Sequence, residues 1–316
     1  MINGILNIYK EKGYTSHDVV ARLRGIVGQK KIGHTGTLDP EAEGVLPVCL
    51  GRATKVCDML TDKDKTYETV LLLGTSTDTQ DITGRVLSSR SLDDPELPEG
   101  TVTEEKTESC IRCFIGEYDQ IPPMYSALKV GGKKLYELAR EGKTIERKSR
   151  KVMIYDIRIK DIDLPRVRME VKCSKGTYIR TLCHDIGEKL GCGGCMEKLL
   201  RTRVGQFSLD QSLKLSQVEQ MVREERIDEI LMPTDRVFCD LEELCIKERF
   251  NAFGYNGNPL ERKHLTGEIA RKSAEQLEDR RFRIYDSHRN FIGIYYYDRK
   301  KDRFRPEKMF LDREEG

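Results

Sequence analysis

The residues best equipped for chemistry lie close together in Gly33-His-Thr-Gly-Thr-Leu-Asp-Pro-Glu-Ala-Glu-Gly44. Three glycines in twelve residues mark a loop that turns sharply or lets another molecule approach its backbone. Asp39 stands before Pro40, which restricts it to extended conformations and projects its carboxylate from a defined turn. A carboxylate held in this way can attack carbon. It can equally close an Asx-type turn by accepting hydrogen bonds from local backbone amides. No Gly-Lys-Ser/Thr follows, so the loop is not a P-loop, and it is not a G-x-G-x-x-G fingerprint. Two Cys-x-x-Cys pairs, Cys110/Cys113 and Cys192/Cys195, could together supply four zinc ligands. They are separated by 78 residues, far more than compact zinc modules use, and no metal site is expected. Cys110-Ile-Arg-Cys-Phe-Ile reads as a strand, with its two thiols facing opposite ways.

The elements around the loop follow from hydrophobic spacing. Ser16 to Gly28 reads as a short amphipathic helix with Ser16 at the N-cap and Gly28 as the stop. Val45 to Leu50 reads as a buried strand, Thr66 to Leu73 as another, and Gly74 to Gly84 as a long polar turn. Residues 88–104 look loop-like, with Pro95, Pro98 and Gly100. Val152 to Ile159 is a strand, and Arg166 to Cys173 alternates strictly, placing Val167, Met169, Val171 and Cys173 on one face. Helices are expected over Thr177 to Leu190 and Ser216 to Arg226. Past about residue 240, short strands and a hairpin over Phe282 to Tyr297, turning at Ser287 to Asn290, suggest a small β-rich domain. Strands and helices do not repeat as βαβ units, so the class is α+β.

At 316 residues the chain is long enough for one large domain and a small one. Its net charge of +2 says nothing about partners, but the charge is unevenly spread. Lys129 to Lys151 holds 9 basic and 3 acidic residues, net +6. Asp210 to Ile246 holds 4 basic and 10 acidic residues and reads as an exposed helical connector. Such patchiness suits either a polyanion-binding face or solvated helix surfaces. No stretch of 18 apolar residues occurs, which argues against a membrane helix. Met1 to Ile5 lacks the pattern of a secretory signal, so a cytoplasmic protein with reduced cysteines is expected.

Gly33 to Lys55 closely resembles the signature of the TruB-type tRNA pseudouridine synthases. Four further blocks follow in that family's order: Lys65-Thr-Tyr67; the turn Gly74 to Gly84; Ile121 to Lys129 with Gly132 and Tyr136 to Arg140; and Cys173 to Leu182. The tail resembles the family's small RNA-binding PUA domain more weakly, through Asn256 to Pro259, Phe291 to Ile294 and Arg305-Pro306. The resemblance implies a catalytic domain over residues 1–240 with a central mixed, mostly antiparallel sheet, and a β-barrel-like PUA domain over 241–316. It also implies isomerisation of uridine 55 in the TΨC arm of tRNA to pseudouridine by a monomer, with no cofactor and no metal. The target base is normally stacked, so it would be flipped into a pocket.

The resemblance also assigns roles. Asp39 matches the family's nucleophile and Arg180 the cation paired with it, which would favour the charged carboxylate. By itself Arg180 would read as a surface ion pair at a helix start. Tyr67 matches the aromatic that stacks on the target uracil and helps remove the proton from C5; otherwise it is an ordinary strand tyrosine. Tyr178 matches a second pocket tyrosine, and His34 the imidazole that fills the place of the flipped base. Leu199 matches an apolar pocket residue, and Lys55 a phosphate contact. Two alternatives stand beside this reading: a partner-dependent enzyme acting on guide-RNA targets, and an RNA chaperone that folds tRNA.

Overall fold

The computed structural model describes residues 1–94, 97, 102–267 and 272–311. In chain order the strands are β1 Gly4–Lys10, β2 Ile32–His34, β3 Glu43–Leu50, β4 Lys65–Leu73, β5 Thr75–Thr77, β6 Val86–Ser89, β7 Gly116–Gln120, β8 Lys129–Val130, β9 Lys133–Lys134, β10 Arg150–Asp163, β11 Arg166–Cys173, β12 Gly194–Val204, β13 Phe207–Ser208, β14 Glu242–Cys245, β15 Arg281–Tyr285, β16 Phe291–Asp298 and β17 Arg303–Met309. The helices are α1 Ser16–Val27, α2 Cys57–Thr61, α3 Glu104–Arg112, α4 Leu135–Arg140, α5 Ile179–Leu190, α6 Leu215–Arg223, α7 Asn251–Tyr255 and α8 Ala274–Leu277.

The chain is α+β. A nine-stranded sheet runs β1-β3-β12-β4-β11-β10-β7, with β2 beside β3 and β13 beside β12. Its ladders are antiparallel except where β12 meets β3 in parallel, Arg201 opposite Gly44. That junction lays the Asp39 loop against the centre of the sheet. The alternation in β11 holds: Val167, Met169, Val171 and Cys173 are fully buried. They pack against α5, whose Ile179, Leu182, Ile186 and Leu190 recur at helical spacing and fall in the same core. Burying side chains of this size contributes roughly 1.5–3 kcal/mol each. Among the described residues no helix is long and apolar enough to cross a membrane.

Several expectations change. Cys110 and Cys113 belong to a helix end, not a strand. Thr103 caps α3 by accepting from the Lys106 amide, and Glu104 and Glu105 suit its first turn. Cys110 is buried and Cys113 exposed. No group of three or more His, Cys, Asp or Glu among the described residues could hold a metal ion. Thr15, not Ser16, caps α1: its hydroxyl accepts from the Asp18 amide while the Asp18 carboxylate accepts from the Thr15 amide. Residues 86–89 form β6 and α3 starts at Glu104, so both ends of the 88–104 stretch expected as loop are regular structure. Pro95, Pro98 and Gly100 lie outside the described residues. The 210–246 segment is no exposed connector. Its helix α6 buries Leu215 and Val218 in the core beneath β1 and α1.

The tail forms its own sheet, β14-β15-β16-β17, parallel between β14 and β15 and antiparallel elsewhere. Leu260 bridges Phe304 of β17 and Leu265 bridges Ile246 just after β14, so residues 260–265 reach from one edge of this sheet to the other. The expected hairpin turns between Tyr285 and Phe291. The tail is docked, not tethered. Phe310 and Phe291 join Phe238 in a core shared with Ile5 and Val45 of the large sheet and with Val56 in the turn after β3.

Candidate active site

Asp39 occupies the turn between β2 and β3, and both of its neighbours are clamped. Ser16, freed from capping α1, accepts the Leu38 amide at its Oγ (2.9 Å). The Pro40 carbonyl accepts from the Gly13 amide (2.9 Å) and from Lys10 Nζ (3.0 Å). Lys10 is fully buried and its Nζ also donates to the Tyr14 carbonyl at 2.6 Å. Burial pulls this ammonium down to about 8, with the Asp39 and Glu43 charges opposing. The Asp39 carboxylate is therefore held by its backbone, yet it does not fold back on that backbone. Among the described residues its oxygens accept from Arg180 alone, which decides against the Asx-turn reading.

Arg180 is the second residue of α5. The helix start is pinned by Gln120, whose side chain both accepts the Tyr178 amide (2.8 Å) and donates to the Tyr178 carbonyl (3.0 Å). The guanidinium meets Asp39 with two contacts, Nε to Oδ2 at 3.0 Å and Nη2 to Oδ1 at 3.2 Å. Its remaining donors reach the Thr79 carbonyl (3.0 Å), the Tyr125 carbonyl (2.8 Å) and, less closely, Asp81 Oδ2 (3.6 Å). Asp81 is in turn fixed by the Thr79 hydroxyl and by the amide and hydroxyl of Thr83. The Arg180 side chain is 5% exposed, whereas 39% of Asp39 stays open. The cation is thus structural and the carboxylate presented. Protein packed around the carboxylate desolvates it and raises Asp39 above the ordinary carboxylate range; Asp81 adds to the rise, while Arg180 and Lys10 oppose it.

The carboxylate opens into a cleft of about 620 Å³ whose walls include Thr69, Asp81, Ile82, Met196 and Leu199. Leu199 is half-buried against the main core and shares this cleft with Asp39. Tyr67, on β4, is 8% exposed; burial raises its phenol, with Arg201 pulling the other way. Tyr178, at the cap of α5, is also raised by burial, against contacts from Ser126, Arg150 and Arg180. His34 ends β2, and its Nδ1 accepts the Gly36 amide at 3.3 Å. Its ring meets that of His17 edge-on, 5.3 Å between centroids. Burial, His17 and Arg201 lower it, which favours the neutral imidazole. Lys55 lies elsewhere: its Nζ donates to the Met309 carbonyl at 2.9 Å and so joins the tail to the large sheet.

Three residues escape sequence reasoning. Lys10 and Arg201 are charged groups that end or interrupt apolar strands, a pattern that reads as solvent exposure until the fold buries both. Asp81 sits inside a recognisable turn, but nothing in its spacing points to a guanidinium supplied by a helix 99 positions later.

Comparison with known proteins identifies the family. The family profile described as "TruB family pseudouridylate synthase (N terminal domain)" matches residues 24–179. That described as "tRNA pseudouridylate synthase B C-terminal domain" matches residues 180–238. The tRNA pseudouridine synthase B of Lachnoclostridium phytofermentans is 52% identical over 318 residues, spanning 98% of this chain and 100% of the relative. The protein of the same name from Alkaliphilus oremlandii is 47% identical over 268 residues, spanning 85% and 86%. Among solved structures, a chain of a Cbf5-Nop10-Gar1 complex superposes with a TM-score of 0.70 at 26% identity, covering 98% of this chain and 85% of that one. The chain thus joins a continuous mixed sheet to a carboxylate loop ahead of β3 and an arginine brought to that carboxylate from α5. The chain belongs to the TruB family of pseudouridylate synthases.

Proposed function

We propose that this protein isomerises uridine 55 in the TΨC arm of tRNA to pseudouridine, with Asp39 as the nucleophile. The observation that carries the reading is the Asp39–Arg180 pair: a carboxylate locked by two contacts to a buried guanidinium, yet open to a cleft. Arg180 keeps Asp39 ionised and aimed, so attack on the target nucleotide needs no reorganisation. Tyr67 stacks on the flipped uracil and its hydroxyl takes the C5 proton; Tyr178 and Leu199 complete the pocket, and neutral His34 fills the gap left in the RNA loop. The exposed cations among residues 129–151 and the tail, residues 241–316, hold the RNA, with phosphates supplying most of the affinity. No cofactor or metal takes part.

The relatives named tRNA pseudouridine synthase B at 47–52% identity favour free tRNA over guided targets. The reaction is tested with the pure chain and an unmodified tRNA transcript, mapping pseudouridine by carbodiimide adduct and reverse-transcription stop. The expected result is one stop, at the TΨC-arm uridine, absent in Asp39→Asn, with tRNA affinity nearly unchanged. Binding without a stop in the wild type would favour a partner-dependent enzyme or a chaperone. Loss of binding in Asp39→Asn would indicate a collapsed loop.

A further inference from the structure

Arg201 is a buried charge that the chemistry above does not use. It is 1% exposed, the largest fully buried side chain among the described residues. Among those residues no carboxylate pairs with it. Its Nε donates to the Val45 carbonyl (2.7 Å) and its Nη2 more loosely to the Gly36 carbonyl (3.4 Å), under the loop that carries Asp39. An unpaired guanidinium removed from water is costly, so a group that can carry negative charge is expected beside it. The strand register supplies one. On β12 and β4, Arg201 stands directly opposite Tyr67, on the same face of the sheet. The guanidinium and the phenol therefore stand side by side in the buried sheet, and each favours the charged form of the other.

We infer that Arg201 is a positioning residue for Tyr67, stabilising its phenolate so that it removes the proton from C5 of the rotated uracil. The inference deepens the proposed reaction and rests on it. In the step assigned to the pair, the C5–H bond breaks and the Tyr67 Oη–H bond forms. The electron pair left on carbon restores the C5=C6 double bond. N1, released from the sugar, takes a proton from solvent, so the base is isomerised without gain or loss of atoms. The other titratable groups facing the pair are Asp39 and Cys173 at Tyr67, and Lys10, His34 and Lys65 at Arg201. Burial raises the phenol most, Arg201 opposes that rise, and Cys173 and Asp39, when charged, add to it. Lys10 gives three bonds and Lys65 two to backbone carbonyls, whereas Arg201 has five N–H donors, only two of them given to the Val45 and Gly36 carbonyls, and stands opposite the phenol.

The test compares wild type, Arg201→Gln, Arg201→Lys and Tyr67→Phe in single-turnover assays on tRNA transcribed with ordinary or 5-deuterated uridine, across pH. Arg201→Gln is expected to lose about 100-fold in rate near neutrality, on the scale of one general-base contribution. It should regain rate as pH rises and show a deuterium effect larger than that of wild type. Arg201→Lys should keep most of the rate, and tRNA affinity should be unchanged throughout. A loss equal at every pH, with no change in isotope effect, would overturn the inference and leave Arg201 a packing residue. Wild type making no pseudouridine would instead overturn the proposed function itself. If Arg201→Gln does not fold, the same question is put to the intact chain by placing 3,5-difluorotyrosine, a more acidic phenol, at position 67. The rise of rate with pH should then move to lower pH; an unmoved profile rejects the inference.

Discussion

Asp39 and Arg180 are 141 positions apart and meet through two contacts, and the consequence is electrostatic. In the proposed reaction the carboxylate must be ionised to attack, yet burial pushes it toward the neutral acid. Arg180 and Lys10 oppose that push, whereas the Asp81 charge reinforces it. Asp81→Asn removes one raising influence and leaves Asp39 as the carboxylate that faces Arg180. The acid limb of the single-turnover rate is therefore expected to move to lower pH in this variant. A pH–rate profile measures it; a limb that stayed in place or rose would show that Asp81 acts on loop geometry alone. The same reasoning explains why Lys10 is unsuited to be a base. Although burial lowers it to about 8, its protons are committed to the carbonyls of Tyr14 and Pro40, where they hold the loop.

Among the elements, the junction of β3 and β12 tolerates least change. Gly44 has φ +107°, and a Cβ there would come within 2.2 Å of the Arg201 carbonyl. Gly28, at the end of α1, has φ +65°, but a Cβ there would meet nothing within 4 Å. Gly28→Ala is therefore expected to cost only about 1–2 kcal/mol, the left-handed penalty alone. Gly44→Ala should cost clearly more and should also reduce activity, since it drives apart the strands that carry Arg201 and the Asp39 loop. Urea titration of the two variants decides the order; equal losses would mean that the junction relaxes freely. Helix α5 shows a different economy. One face fills the core with Leu182 and Ile186, while its first turn delivers Arg180 to Asp39, so core packing and the candidate site share one helix.

For the molecule as a whole, charge is distributed where RNA is proposed to lie. The 129–151 segment carries 9 basic residues, most of them exposed. Lys151 is already paired with Glu117, and Lys133 and Lys143 with Glu141. Exposed pairs of this kind are weak and exchange readily for phosphates. Reversing the charge at Lys148, Arg150 and Lys151 together is expected to weaken tRNA binding. Its salt slope should fall by about one for each phosphate that is no longer neutralised. Filter binding at several salt concentrations measures both quantities. An unchanged slope would remove this segment from the RNA path. The tail sheet, proposed to meet the same RNA, is held in place: Phe310 and Phe291 are packed against Phe238, and Lys55 bonds the Met309 carbonyl.

Local physics was enough to read much of this from the chain alone. The alternation in Arg166 to Cys173, the helical spacing of Ile179, Leu182 and Ile186, and the Gly-rich turn before Pro40 each reflect forces acting over a few residues. The motif blocks added the residues that gather around Asp39. What the sequence could not determine depends on distant partners. A Cys-x-x-Cys run became a helix end because Thr103 caps it and Cys110 packs inward. Ser16 left its cap to hold Leu38, and Lys55 turned to Met309. Above all, Lys10 and Arg201 look like surface charges in a linear reading. Only the parallel meeting of β3 and β12, which closes water out around them, turns them into the buried cations that hold the loop and face Tyr67.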